Sequence, residues 1–499
     1  MLNQKWAGHC SIAKMLVEHA RSQINDERAC TAQKSRDFQA PILVCWCPYY
    51  SNHPTAITSF QAPAMKNAEA LRRDLSRRQF LGRSAQNAAG VAAGMVGLSS
   101  TVAKADKSSP VRVGIIGVRN QGRNLAAAFA KMSDVNVVSL CDVDPSLQSA
   151  AIKSVLDAQE TSPRWESDFR NVLDDPQVDA VAIATPDHWH AIMGIMAAQA
   201  GKDIYLEKPV SHTIEEGQLL IRAARKHERV MQTGLQQRSG SHFQSAVELV
   251  QSGKIGEVRL AKAWVAQSRK AFGRCADEDP PEGVNYDLWL GPSAERPFNA
   301  HRFHHHWQWF NDYGTGELGN WGVHLLDVAR WGLKLDLPER VSASGGNYVF
   351  KSGQEMPDTL AATFHYPEHT ILWEHRLWSN HGLEGRGSGV SFHGENGTLV
   401  VDRSGWKVYD SKERLNSDTS DQLNSHLRNF IDCVRTRQRP NADIEIGHLS
   451  TTLCHLGNVA WQLNREVQFD EASQTFQDDA EANELLSKTY RDPWQLPEV

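Results

Sequence analysis

The sequence predicts an α/β chain in which a doubly wound parallel sheet is followed by an α+β domain with a large open, mostly antiparallel sheet. Short β-branched runs alternate with helical segments from residue 111 to about 235. A glycine turn follows the first of those runs. Beyond residue 235 the rhythm stops, and longer strands separated by turns take over.

Bulk properties set the frame. At 499 residues, with 40% hydrophobic and 22% charged content, the chain is long enough for two or three domains with sizeable cores. No run of 18 apolar residues appears, so a transmembrane domain is not expected. Residues 1–105 carry 13 Lys/Arg against 6 Asp/Glu, and the remainder carries 40 against 53. A main body that acidic argues against nucleic acid as a partner, though not against a local basic pocket. Cys10, Cys30, Cys45 and Cys47 lie near the N-terminus, and Cys141, Cys275, Cys433 and Cys454 are widely spaced. No C-x-x-C pair occurs, so neither a zinc site nor a redox motif is supported.

The first hundred residues read as an address. The basic 76-SRRQFLGR-83 precedes the mildly apolar 88-AAGVAAGMVGL-98, and 103-AKA-105 offers small residues for cleavage. The paired arginines before Phe80-Leu81 resemble a twin-arginine export signal. Residues 65–105 are therefore expected to be the signal region, and 1–64 an overextended start or a disordered leader. A periplasmic or otherwise exported protein follows, with the twin-arginine machinery as a partner.

The segment 111-VRVGIIGVRNQGRNLAAAFAKM-132 runs from a β-branched stretch through a glycine turn into an Ala-rich helix. Gly117 and Gly122 keep the first and third places of G-x-G-x-x-G, and Arg119 holds the middle one. An arginine there must turn away, or put its guanidinium on phosphate or ribose. Asn120 and Gln121 complete the turn. A second strand, 135-VNVVSLCDVD-144, brings Asp142 to the place where an acidic residue accepts ribose hydroxyls. Together these predict a Rossmann-type dinucleotide domain over 106–235 binding NAD, with NADP left open by Arg119.

The alternation continues. Strand 178–185 leads into a helix over 186–202, strand 203–209 into a helix over 212–227, and strand 229–236 closes the set. Ligands of such sheets sit at the carboxyl ends of the strands. Thr185, Pro186, His188, His190, Glu207, Lys208 and Gln236 fall there and are the remaining cofactor-site candidates.

The turn at 117–122, 185-TPDHWH-190, 207-EKP-209 and 319-GNWGVHLLD-327 together resemble the Gfo/Idh/MocA oxidoreductase family, over roughly residues 111–470. The resemblance implies a dehydrogenase of sugars or related alcohols, commonly dimeric or tetrameric. It also implies that Lys208, from E-K-P, and His324 stand beside the nicotinamide. The histidine would take a hydroxyl proton, the lysine would stabilise the developing alkoxide, and Glu207 would position the lysine. Where the family has Asp, this chain has Asn320, which brings no negative charge. A lower working pKa for His324 is expected, unless Asp327 compensates. In a regular helix, Asn320, His324 and Asp327 would share one face.

The second region, 236–499, is expected to hold substrate and oligomerisation surfaces. Segments 257–267, 359–366, 370–378 and 397–402 read as its strands, and 422–436 and 448–464 as C-terminal helices. The run 304-HHHW-307 lacks metal-ligand spacing, so no metal is expected; Arg302, Trp307 and Tyr313 are the further substrate candidates beside Lys208 and His324, and Asn320 joins those two as a catalytic candidate. An exported enzyme of this kind would hold its cofactor tightly and regenerate it within its own cycle. Three functions stay open: oxidoreduction of a sugar, polyol or glycoside; a redox-neutral glycosidase cycle; and non-catalytic carbohydrate binding.

Overall fold

The computed structural model describes residues 109–410, 412, 414–417 and 419–499. The signal region read from 65–105 lies outside them. The described part begins with a six-stranded parallel sheet. Its elements are β1 (Val111–Ile116), α1 (Asn120–Ala130), β2 (Val135–Cys141), α2 (Gln148–Leu156), β3 (Arg164–Glu166), α3 (Phe169–Asp174), β4 (Ala180–Ile183), α4 (Asp187–Gln199), β5 (Asp203–Leu206), α5 (Ile214–Lys226) and β6 (Met231–Thr233). Strand order is β3-β2-β1-β4-β5-β6, so the winding reverses between β1 and β4. A ligand crevice opens at such a reversal, outside the carboxyl ends of both strands.

Local chemistry explains the parts. β4 and β5 are buried at every position, as strands covered by helices on both faces must be. Thr213 and Glu216 form a reciprocal capping box that fixes the start of α5. The short edge strand β3 has the partly polar sequence RWE, which leaves no periodic signal.

A second sheet of ten strands follows. Its members are β7 (Val258–Ala266), β8 (Arg340–Gly346), β9 (Thr359–His365), β10 (Thr370–Arg376), β11 (Ser388–Gly394), β12 (Gly397–Asp402), β13 (Gly405–Tyr409), β14 (Arg414–Asn416), β15 (Val467–Asp470) and β16 (Thr475–Phe476). All neighbouring pairs are antiparallel except β7 with β10. In β9, Leu360, Ala362 and Phe364 are buried and alternate with more accessible residues, the pattern of a sheet packed on one side. The packed side meets α6 (Ser241–Gln251), α8 (Val323–Leu333) and α10 (Ile444–Leu463), with α7 (Tyr286–Leu290) lying in the intervening loop.

The expected helix over 422–436 is α9 (Gln422–Thr436). Its Leu427, Phe430 and Ile431 pack into the core beneath β1 and β2, so the chain returns to the nucleotide sheet. The expected helix over 448–464 starts earlier, because Asp443 caps it and accepts from the Glu445 N–H. No described helix is long and apolar enough to cross a membrane.

Candidate active site

The glycine turn closes tightly over the strand ends. Gly117 sits at φ +81°, and a side-chain carbon there would lie 2.7 Å from the Ala184 carbonyl oxygen. One at Gly122 would lie 1.7 Å from the Gly117 oxygen. Arg119 caps α1 at φ −78°, which any residue accepts, so replacing the middle glycine strains nothing. No side chain caps the helix, leaving its first N–H groups free for an anion. The buried Arg119 Nη1 has no partner, a spare donor in the same place.

Asp142 accepts from the backbone N–H groups of Val118 (2.9 Å) and Asp144 (3.1 Å), and burial pushes its carboxyl up to about 6. It thereby ties the second strand to the glycine turn. A cleft bordered by Gly117, Arg119, Asp142, Pro186 and Trp307 follows, and His304 closes its rim by a 2.7 Å bond to Asp144. These features fit a dinucleotide: two glycines that admit it, a free helix N-terminus, an unpaired guanidinium and an acid at the ribose position.

Ala184, Thr185 and Trp307 border both this cleft and a cavity of about 450 Å³. Lys208, His324, Asn320, Glu207, Gln121 and Gln236 face that cavity. The Lys208 ammonium donates to the Asn320 carbonyl oxygen at 3.1 Å and to its side-chain Oδ1 at 3.3 Å. Glu207 does not position that ammonium. Its buried carboxylate accepts from Gln121 (2.8 Å), Gln236 (3.4 Å) and the Lys208 backbone N–H (3.3 Å).

Asn320 lies in a π-helical turn, Leu318–Gly322, and regular helix starts only at Val323. The asparagine amide donates to Glu317 Oε2 at 3.2 Å, and Arg269 donates to Glu317 Oε1 at 2.7 Å. A chain Lys208–Asn320–Glu317–Arg269 results. The carboxylate absent from position 320 stands one turn earlier, fully buried and neutralised by an arginine. Asparagine suits this place because it accepts from a lysine and donates to a carboxylate at once.

His324 is 5% exposed, and its Nδ1 has no hydrogen-bond partner. Burial, with Lys208 and Arg403 nearby, holds its imidazole well below the ordinary histidine value. Asp327 does not compensate. It turns into the core, where Arg238 grips both its oxygens at 2.8 Å and Ser450 donates at 2.6 Å. At neutral pH His324 is a neutral imidazole on a wall with a lysine ammonium, an arrangement suited to accepting a hydroxyl proton.

Other candidates lie elsewhere. His188 is buried beyond the cavity wall with Nε2 on the Trp289 carbonyl oxygen (3.0 Å). His190 sits between the carbonyl oxygens of Pro209 (2.6 Å) and Thr185 (3.0 Å), donates to one of them as a neutral imidazole, and so braces E-K-P rather than meeting a ligand. Arg302 pairs with Asp277 and the Pro297 carbonyl. Tyr313 is wholly buried against Trp289 and His188. Asn120 faces a neighbouring cavity instead.

Two charged cavity residues escaped the sequence reading. Asp187, inside the quoted T-P-D-H-W-H, is buried at the cavity, takes a 2.8 Å bond from Thr315 and is pushed up to about 7 by burial. Its place in a strand-end motif was an available signal. Arg403 reaches the cavity from the β12–β13 turn and lies 4.7 Å over the Trp321 ring, a contact no local pattern announces.

Comparison with known proteins agrees with this geometry. Residues 111–235 match the profile described as an oxidoreductase family, NAD-binding Rossmann fold. Residues 262–346 and 391–496 match the C-terminal alpha/beta domain of the same family. The uncharacterised oxidoreductase YrbE of Bacillus subtilis strain 168 is 34% identical over 296 residues, 58% of this chain and 73% of that protein. The chain belongs to the Gfo/Idh/MocA oxidoreductase family.

As a family member it pairs an NAD-binding Rossmann domain with the α/β domain that completes the cavity. A glycosyl hydrolase family 109 protein of Saccharopolyspora erythraea is 31% identical over 217 residues, 39% of this chain and 46% of that protein. The chain thus spans under half the length of that relative. A solved levoglucosan dehydrogenase, in complex with NADH and levoglucosan, shares the fold with a TM-score of 0.56 at 18% identity, over 72% of this chain and 99% of that one.

Proposed function

We propose that this protein is an exported oxidoreductase acting on a sugar, polyol or glycoside, with a tightly held NAD recycled during turnover. The observation that carries the reading is that Lys208 and His324 line a cavity sharing Ala184, Thr185 and Trp307 with the dinucleotide cleft. Gly117, Arg119, Asp142, Thr185 and Trp307 are the residues that would hold the dinucleotide. When bound, the nicotinamide supplies hydride acceptance and return. His324 takes the hydroxyl proton of the reacting carbon, and Lys208 holds the same oxygen as negative charge develops. The Asn320–Glu317 link keeps the ammonium aimed.

Export supports recycling, since little free nicotinamide exists outside the cytoplasm to replace a spent molecule. The paired arginines at 77–78 support export. A homo-oligomer, dimer or tetramer, is the proposed assembly. A redox-neutral glycosidase cycle is the second reading, supported by the likeness to the family 109 protein. Absorbance of the purified protein before and after denaturation, followed by a screen of sugars and glycosides, tests the proposal. Released nicotinamide that some sugar had reduced, with reduction lost in Lys208→Ala, is the expected result. No bound nicotinamide would overturn tight retention, and a sugar that binds without spectral change would leave a binding protein. Product release without net NADH would select the glycosidase cycle.

A further inference from the structure

A second cavity, of about 570 Å³, adjoins the first, and Gln308 and Asn320 border both. Its volume falls within the range of about 300–1,000 Å³ typical of small-molecule sites. Trp309, Trp321 and Phe350 are among its lining residues, and aromatic side chains of this kind pack against a sugar ring. Its charge is one-sided. No carboxylate lines it, whereas Arg269 and Lys270 do. Arg269 is spent on Glu317 and lies 5.3 Å over the Trp309 ring. Lys270 is exposed and makes no ion pair among the described residues. His305 and His306 complete the wall, held below the ordinary histidine value by burial, so they are neutral hydrogen-bonding groups at pH 7. An acidic chain has here built a compartment without acid.

We propose that this second cavity seats the second unit of a glycoside, a uronic-acid ring stacked on the aromatic wall with its carboxylate on Lys270. The inference rests on the proposed sugar chemistry in the first cavity and names the substrate class. The reacting ring would occupy the cavity of Lys208 and His324, and the glycosidic bond would pass between Gln308 and Asn320. That placement gives Asn320 a further use, as the shared wall of both compartments.

The test is equilibrium binding to the full, cofactor-bearing protein, followed by tryptophan fluorescence and calorimetry. The probes are aldobiouronic acids of several linkages, each beside its carboxyl-reduced counterpart. At least one acid should bind roughly tenfold more tightly than its neutral counterpart, as a charge-assisted hydrogen bond allows. Lys270→Gln should abolish that preference and leave both the neutral counterpart's affinity and the nicotinamide absorbance unchanged. Equal binding of acid and neutral pairs, a preference that survives Lys270→Gln, or no disaccharide binding at all would each overturn the proposal. The parent reading fails separately, when no sugar or glycoside changes the absorbance of bound nicotinamide or is converted to product.

Discussion

Residues 185–190 and 317–327 approach the same cavity from different domains, and each brings buried histidine and carboxylate. In the first segment the polar groups are turned to protein partners: His190 sits between two carbonyl oxygens, His188 holds the Trp289 carbonyl and leaves only its Nδ1 without a partner, and Asp187 takes the Thr315 hydroxyl. In the second, Asn320 and Glu317 are spent on holding Lys208, and His324 keeps an unpartnered nitrogen. Burial is alike in both; what differs is that His324 lines the cavity whereas His188 and His190 do not. A histidine turned to backbone carbonyls inside the protein is a brace, and one with spare valence facing a cavity beside a cation is available for chemistry.

The largest expected effect falls on the second segment. Lys208→Met should lower kcat/KM by about 10³–10⁴-fold, and His324→Gln by about 10²–10⁴-fold, with thermal stability and bound nicotinamide retained. The converse belongs to the first segment, where His190→Gln should lower the melting temperature by several degrees and change kcat little. Steady-state rates and melting curves on the same preparations decide it. A rate loss in His190→Gln as large as in His324→Gln, without loss of stability, would erase the distinction.

Acid should affect both segments together. Burial lowers His188 to about 3 and His190, His375, His426, His448 and His455 to about 4, against about 6.5 in an unfolded chain. Their contribution is full above about 6.5 and is lost as pH falls toward the folded values, because the unfolded chain then binds more protons. Asp142 and Asp187, raised to about 6 and about 7, act in the opposite sense and offset only part. Stability should therefore fall by several kcal/mol between pH 6.5 and 4, at about 1.4 kcal/mol per tenfold change in proton affinity. A melting temperature flat across that window would contradict the buried neutral histidines.

Asn320→Asp sharpens the relay. A second carboxylate 3.2 Å from buried Glu317 should cost about 1–3 kcal/mol, and Asn320→Asp with Glu317→Gln should recover most of it. Denaturant titration of both single variants and the double measures the coupling, and additive effects would dissolve the proposed link. The smallest effect is expected for Arg119→Gly, which restores the third glycine and removes the spare guanidinium. Nicotinamide retained through dialysis should decrease severalfold, by about 1 kcal/mol. Unchanged retention would show that Arg119 only lines the cleft.

The local parts of this arrangement were legible. Gly117, Gly122 and Asp142 are held by short-range backbone geometry, and Lys208 ends a strand whose apolar run announces it. The helix over 422–436 was legible too, though not that it packs under β1. Glu317, Arg269 and Arg403 gave no local signal, since their roles depend on partners supplied by separate strands and turns. Tyr313 and Arg302 look like site residues in sequence because aromatic and basic side chains serve core and ligand equally; packing sent one inward and paired the other with Asp277.

By itself the sequence determined which elements form and which residues arrive at the strand ends, because periodicity, glycine turns and caps act over a few residues. Tertiary structure alone decided which of those residues remain free to react. His188, His190 and His324 differ little in local sequence chemistry, but the fold gave carbonyl partners to the first two and left the third facing a cavity. Hydrogen-bond saturation is a long-range property, set by what the rest of the chain brings within about 3 Å of each side chain.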